Sequence, residues 1–294
     1  MPKKKIVVTG ANGFIGSRLC KELEKKYSVI KFDLNGKGKN FFEGSVLEEE
    51  KLEKAFQKAD AVVHLAAVSV ASSAAEPKKS FETNVEGTKN VLETAFKQGI
   101  KKIVFASSAL VYGTKYKRKI SESDALLPED NYAKQKEFGE KLCREYRKKG
   151  LDVRIVRMFN VYGKSQEKRT YNDVITIFFN KISKGEKIWI NNPGKNSRDF
   201  INISDAVKGI ALVLEKKKAK NEVFNIGTGK ATDLMDLAEN ISKALGKEPM
   251  FEKANEEKEE IKFIADTSKA EKILGFRAGK TLEKGLKEMS KNFK

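Results

Sequence analysis

Short apolar runs alternate with amphipathic stretches through the first half of the chain. Ile6–Val8, Ser28–Phe32, Ala61–Leu65, Lys102–Ala106 and Val153–Arg157 are runs of strand length, rich in β-branched and aromatic residues. Between them, apolar residues recur at intervals of three and four over Ser17–Lys26, Glu48–Lys58, Thr83–Lys97 and Asn131–Lys148, which predicts helices. Strand and helix in alternation predict an α/β fold, a parallel sheet with helices on both faces. Beyond residue 161 the rhythm loosens. Asn191–Asn196 reads as a turn, Arg198–Ile203 as a strand and Ser204–Lys216 as a helix. Asn221–Ile226 reads as a further strand, and Met235–Leu245 and Leu282–Asn292 as helices. The expected division is a first domain over 1–160 and a smaller lobe over 161–294, with the chain near 200–220 returning to the first.

In parallel sheets, ligands bind beyond the carboxyl ends of the strands, so the loops there are the informative places. After the first strand comes Thr9-Gly10-Ala11-Asn12-Gly13-Phe14-Ile15-Gly16, which opens a helix. A glycine turn at a helix amino end presents bare N–H groups and the positive end of the helix dipole, which suits a pyrophosphate. The second strand leads to Asp33. A carboxylate there accepts hydrogen bonds from an adenosine ribose and repels a 2′-phosphate, which favours NAD over NADP.

Charge changes the picture little. The net charge of +18 would suit a nucleic acid, a membrane surface or an anionic metabolite. The lysines are spread along the chain and alternate with glutamates, as in Lys21-Glu22-Leu23-Glu24-Lys25, the pattern of solvated helix faces. Nucleic acid is therefore not the expected partner. Cys20 and Cys143 lack the spacing of a metal site and imply a reducing compartment, so a cytoplasmic location is expected. The longest uncharged run, Ala61–Ala75, is too short to span a bilayer.

Two further loops carry candidate chemistry. Ser107 and Ser108 follow the strand at Lys102–Ala106 and face the ligand crevice. Tyr132 and Lys136 lie four apart on a helix, one above the other. A phenol titrates near pH 10, but a neighbouring ammonium and a cationic nicotinamide favour the phenolate, which makes Tyr132 a general base. His64, in Val63-His64-Leu65-Ala66-Ala67, reads as a core histidine at a strand end. Asn84 reads as a polar residue at a helix start.

Together these segments resemble the short-chain dehydrogenase/reductase superfamily. The Gly10–Gly13–Gly16 spacing narrows the resemblance to its extended branch of nucleotide-sugar epimerases and dehydratases. Val156–Gly163, Arg198–Asp205 and Asn225–Gly229 are similar to further blocks of that branch. The resemblance implies a Rossmann-like, doubly wound parallel sheet with a smaller C-terminal substrate-binding lobe. It places NAD on Gly10, Asn12, Gly13, Phe14, Ile15, Gly16, Asp33, Leu34, Ser45, Val46, Leu65, Ala66, Ala67, Asn84, Ser107, Phe159 and Val161, with Tyr132 and Lys136. Catalysis falls to Ser108, Tyr132 and Lys136, and a nucleoside-diphosphate sugar to Ser108, Asn160 and Arg198. No metal is implied. A homodimer through the helices at 83–97 and 131–148 is.

Several positions depart from the branch. Ser45 stands where an aspartate is frequent, and Asn202 where a histidine is frequent. Glu256-Glu257-Lys258-Glu259 stands where a second phosphate-binding arginine is usual, with Lys258 as its one cation. Ala109-Leu110 follows the catalytic hydroxyl where dehydratases carry Asp-Glu and decarboxylases a glutamate. The expected activity is therefore 4-epimerisation of a UDP-sugar by transient oxidation at C4. A sugar-nucleotide reductase or dehydrogenase with exchangeable cofactor is the second reading. A dinucleotide-sensing or RNA-binding protein on the same fold is the third.

Overall fold

The computed structural model describes residues 2–164, 173–190, 196–253 and 260–293. Of the turn expected at Asn191–Asn196, residues 191–195 lie outside the described residues, as does the charged stretch 256–259 with Lys258; Asn196 begins a strand instead. The strands are β1 (Lys5–Thr9), β2 (Ser28–Asp33), β3 (Phe41–Glu43), β4 (Ala61–His64), β5 (Lys102–Ser108), β6 (Asp152–Met158) and β7 (Asn160–Tyr162), then β8 (Ile188–Ile190), β9 (Asn196–Arg198), β10 (Phe200–Asn202), β11 (Val223–Ile226), β12 (Thr232–Asp233), β13 (Phe251–Lys253) and β14 (Ile261–Phe263). The helices are α1 (Phe14–Glu24), α2 (Glu49–Phe56), α3 (Val70–Ala75), α4 (Pro77–Phe81), α5 (Gly87–Lys97) and α6 (Asn131–Lys148), then α7 (Val174–Lys184), α8 (Ile203–Glu215), α9 (Leu234–Leu245), α10 (Ser268–Leu274) and α11 (Leu282–Ser290).

Seven strands form one parallel sheet in the order β3-β2-β1-β4-β5-β6-β11. This is the doubly wound α/β sheet expected from the alternation. Its strands are buried on both faces, as Ile6–Val8 and Ile103–Ala106 show, which is why they read as continuous apolar runs. One face packs against α1, α8 and α10 through Leu19, Leu23, Val207, Ile210 and Leu274. The other packs against α2, α5 and α6 through Leu52, Phe56, Val91, Leu92 and Cys143. A separate core joins α7, α9 and α11 through Phe179, Leu237, Ile241 and Leu286.

Local signals account for the helix ends. The Asp130 carboxylate caps α6 by accepting the Ala133 N–H, and Asp173 does the same for α7 at Thr176. Gly185 and Gly246 end α7 and α9 in the left-handed conformation, at φ of 69° and 70°. Two expected elements differ. The helix foreseen at Thr83–Lys97 is split: α4 runs into a wide π turn at Glu82–Glu86 before α5 begins. The strand foreseen at Arg198–Ile203 breaks at Asp199, between β9 and β10, because that carboxylate turns inward to bind backbone N–H groups.

Candidate active site

The sheet reverses its winding between β1 and β4. The helix after β1 covers one face and α5, after β4, covers the other. Such a switch point opens a crevice at the strand ends. Gly10 lies there at φ +68°, and a Cβ on it would stand 2.7 Å from the Ala66 nitrogen. A Cβ on Gly16 would stand 2.0 Å from the Gly10 carbonyl oxygen, so α1 sits directly on the turn. No side chain caps α1, and the positive end of its dipole lies at the crevice. Asp33 ties the turn to β2: its Oδ2 accepts the Asn12 N–H at 2.8 Å and its Oδ1 accepts the Leu34 N–H at 2.7 Å. A carboxylate has about four lone-pair positions, so capacity for a ribose diol remains.

The other members of the predicted cofactor set differ in exposure and contacts. Leu34 and Ala67 are exposed, Phe14, Ile15 and Leu65 half-buried. Ser45 Oγ accepts the Leu47 N–H at 3.2 Å. Val46 is buried against Gly87, where a Cβ would come within 2.4 Å of it. Phe159 is buried on Phe263, with ring centroids 5.2 Å apart, and Val161 is half-buried.

Below the crevice a directed chain of hydrogen bonds runs through His64, which is 2% exposed. The Ala66 N–H donates to Thr9 Oγ1 at 3.3 Å, and that hydroxyl is 2.7 Å from His64 Nδ1. His64 Nε2 is 3.0 Å from Thr88 Oγ1, whose own proton goes to the Asn84 carbonyl at 2.7 Å. Thr88 therefore accepts, Nε2 carries the ring proton and Nδ1 accepts from Thr9. Burial first, and the Lys136 ammonium second, push His64 down to about 3. The histidine is a neutral tie from the end of β4 to the end of β1 and the start of α5.

Asn84 occupies the π turn. Its Oδ1 accepts the Val68 N–H at 2.9 Å and its Nδ2 donates to Gln135 Oε1 at 2.7 Å. Gln135 donates in turn to Ser80 Oγ at 2.8 Å.

Lys136 and Tyr132 lie beside the end of β5, against which α6 packs, and Ser108 is the last residue of that strand. Lys136, 3% exposed, donates from Nζ to the Ala106 carbonyl at 2.9 Å. The same ammonium lies 5.6 Å from the Tyr132 ring centre and 5.1 Å from that of Phe105. Burial lowers its pKa to about 8. Tyr132 is half-buried. Ser108 Oγ accepts the Leu110 N–H at 3.2 Å and so caps the short turn Ala109–Tyr112. Ser107 is committed elsewhere, donating at 2.7 Å to the buried carboxylate of Glu140.

The second half of the chain contributes the segment around Asp199. Asp199, fully buried, accepts the Thr228 N–H at 2.8 Å, the Thr228 hydroxyl at 2.6 Å and the Gly229 N–H at 2.8 Å. Burial raises its pKa and these donors oppose the rise. Asn160 Nδ2 donates to the Asp199 carbonyl at 2.8 Å, which brings Asn160 beside the Arg198-Asp199-Phe200 segment. Arg198 is half-buried, and its guanidinium has no ion-pair or hydrogen-bond partner among the described residues. Burial holds its pKa below the usual guanidinium value. A partly desolvated guanidinium has the chemistry to take an anion, since its planar fork can make two charge-assisted bonds to one.

Sequence reasoning missed the polar layer beneath these groups: Gln135, Glu140, Arg157, Tyr112 and Asn225. The i, i+4, i+8 spacing of Tyr132, Lys136 and Glu140 on one helix face was the available signal.

The family model of the NAD dependent epimerase/dehydratase family matches residues 6–227. The UDP-glucose 4-epimerase of Thermotoga maritima, solved with UDP-glucose, is 35% identical at a TM-score of 0.87, covering 98% of each chain. The UDP-N-acetylglucosamine 4-epimerase of Methanobrevibacter ruminantium, solved with UDP-N-acetylmuramic acid, is 32% identical at a TM-score of 0.89, covering 100% of this chain and 99% of its own. The UDP-N-acetyl-alpha-D-glucosaminuronate decarboxylase of Bacillus cytotoxicus is 33% identical over 81% of this chain and 79% of its own length. Similarity therefore spans more than one reaction. Among the described residues, no helix is long and apolar enough to cross a membrane.

Proposed function

The chain belongs to the NAD-dependent epimerase/dehydratase family, and from that membership we propose that it interconverts UDP-sugars that differ in configuration at C4. NAD is the cofactor of this family. The residues fit it: a glycine turn at φ +68°, a helix start with no side-chain cap, a carboxylate at the end of β2 and a buried ammonium beside β5. Gly10, Gly13 and Gly16 would take the pyrophosphate, Asp33 the adenosine ribose and Lys136 the nicotinamide ribose. Bound there, NAD would supply reversible hydride chemistry at the sugar C4.

The chain's own groups handle the proton and the tether. Tyr132 removes the proton of the 4-hydroxyl. The Lys136 ammonium favours the phenolate electrostatically. Ser108 donates to the same substrate oxygen and steadies the developing carbonyl. Arg198 and Asn160 hold the diphosphate, so the 4-keto sugar can turn over in the pocket without leaving. Ala109 and Leu110 follow Ser108, which offers no carboxylate at that turn to drive loss of water or carbon dioxide. One observation carries the reading: a buried ammonium hydrogen-bonded to Ala106, two residues before Ser108, with the Tyr132 ring beside it.

The test is to incubate the purified protein with UDP-galactose and look for UDP-glucose. Tyr132→Phe is expected to lose about 10³-fold in turnover and still bind NAD. If no pair of C4-epimeric UDP-sugars interconverts, the reading is wrong. We also assign a homodimer to the outer face of α4, α5 and α6. Phe81, Phe96 and Phe138 are exposed there, and Phe81 and Phe138 meet edge to face at 6.3 Å. Both cysteines are free and buried, which suits the cytoplasm.

A further inference from the structure

The face of α6 that bears Tyr132 and Lys136 continues one turn further to Glu140. This side chain is wholly buried. Its Oε1 accepts Ser107 Oγ at 2.7 Å and Arg157 Nε at 2.8 Å, and its Oε2 accepts Arg157 Nη2 at 2.6 Å. Ser107 and Arg157 are direct partners across β5 and β6. One carboxylate therefore staples α6 to both strands, at the residue immediately before Ser108.

The chain of contacts does not stop there. Arg157 Nη1 donates at 2.8 Å to the hydroxyl of Tyr112, the last residue of the turn that Ser108 caps. The Tyr112 hydroxyl donates at 2.8 Å to Asn225 Oδ1 on β11, whose amide donates at 2.8 Å to the Ile120 carbonyl. A buried ion pair is weak evidence for stability, because apolar residues of like volume often serve as well. This pair touches both halves of the site: the helix of Tyr132 and Lys136 on one side, the turn of Ser108 on the other.

We propose that Glu140 and Arg157 are positioning residues for proton transfer, their pair holding the Ser108 turn in register with the Tyr132–Lys136 face of α6. The step they serve rests on the epimerase reading; the geometry does not. A second consequence concerns charge. Lys136 is faced by Tyr132, Glu140 and Cys143 on its own helix and by neutral His64 on β4. Cys143 first and Glu140 second oppose the fall in the Lys136 pKa; burial raises the Cys143 thiol and keeps it neutral at pH 7, so Glu140 supplies the negative charge.

The experiment pairs Glu140→Gln, which keeps shape and loses charge, with Arg157→Lys, which keeps charge and loses the fork. Two readouts are taken: kcat and KM for a UDP-sugar, and the NMR titration of Lys136 in carbon-labelled protein, assigned with Lys136→Met. Glu140→Gln is expected to lower kcat about tenfold with KM within about twofold, and to move the Lys136 midpoint below its value of about 8. Arg157→Lys is expected to keep that midpoint and to lose less kcat. An unmoved Lys136 midpoint with unchanged kcat in Glu140→Gln overturns the proposal. So does a loss of activity that only tracks the folded fraction, with the midpoint in place. If Glu140→Gln does not fold, Ser107→Ala and Tyr112→Phe each remove one hydroxyl from the network and decide instead. Each is expected to lower kcat about threefold at constant KM, and unchanged kcat in both refutes the idea. If the wild-type protein turns over no UDP-sugar, the epimerase reading fails, while the Lys136 titration still decides the positioning.

Discussion

His64 permits an unusually clean test, because it is the single histidine of the chain. Folded, it titrates near 3, against 6.5 for a free imidazole. Between those values the unfolded chain binds a proton that the folded protein excludes. Folding stability therefore falls as the pH drops below 6.5, by about 1.4 kcal/mol per pH unit. At pH 5 the loss is roughly 2 kcal/mol, a large share of the 5–15 kcal/mol typical of native proteins. The perturbation is His64→Gln, a neutral side chain that retains a donor toward Thr88. The assay is urea unfolding of both proteins at intervals from pH 7 to pH 5, comparing the slopes of stability against pH. Other titrating groups are common to both proteins and cancel in the difference. The wild-type slope should exceed that of the variant by about one proton below pH 6.5. Nitrogen NMR of the imidazole should show the proton on Nε2 and no titration above pH 5. Equal slopes, or a ring that titrates near 6.5, would refute the buried neutral tie and the hydrogen-bond directions drawn from it.

Other consequences follow from the same geometry. Lys136→Met should abolish turnover yet raise stability by about 1–2 kcal/mol at pH 7, because the buried ammonium, at about 8 rather than 10.5, is penalised until the pH rises through that range; thermal melting against pH checks it. Arg198→Ala should raise KM for a UDP-sugar by about 10- to 100-fold with little change in kcat, since it removes a charge-assisted pair made equally in ground and transition states. Gly16→Ala should abolish NAD binding or folding, because its Cβ would stand 2.0 Å from the Gly10 carbonyl oxygen; calorimetry with NAD and circular dichroism separate the two outcomes.

Most of the sheet was legible because a strand buried on both faces must be apolar throughout. The long helix over Asn131–Lys148 was legible because Asp130 caps it and its periodicity is unbroken. α7 went unread. Its start, Val174-Ile175-Thr176-Ile177-Phe178-Phe179, is β-branched and aromatic, which mimics a strand. The cap at Asp173 and the stop at Gly185 were its helical signals. The π turn at Glu82–Glu86 was also hidden. A single inserted residue leaves the spacing of apolar positions nearly intact, while it turns Asn84 inward to Val68 and Gln135.

Taken alone, the order of residues determined the fold class, the glycine turn and the candidates Ser108, Tyr132 and Lys136, because each depends on local spacing or on an element's own periodicity; Arg198 was a candidate only through the resemblance to the family. Tertiary structure decided which polar groups share a buried space: that Ser107 serves Glu140, that Asp199 serves Thr228 and Gly229, and that Arg198 stands desolvated without a partner among the described residues. Those facts depend on contacts between residues about 30 positions apart, and on the loss of water around them; the tie of Tyr112 to Asn225 spans 113. A charge or hydroxyl reads the same along the chain whether it ends in solvent or in the core. Burial alone turns it into a tie, a clamp or a receptor.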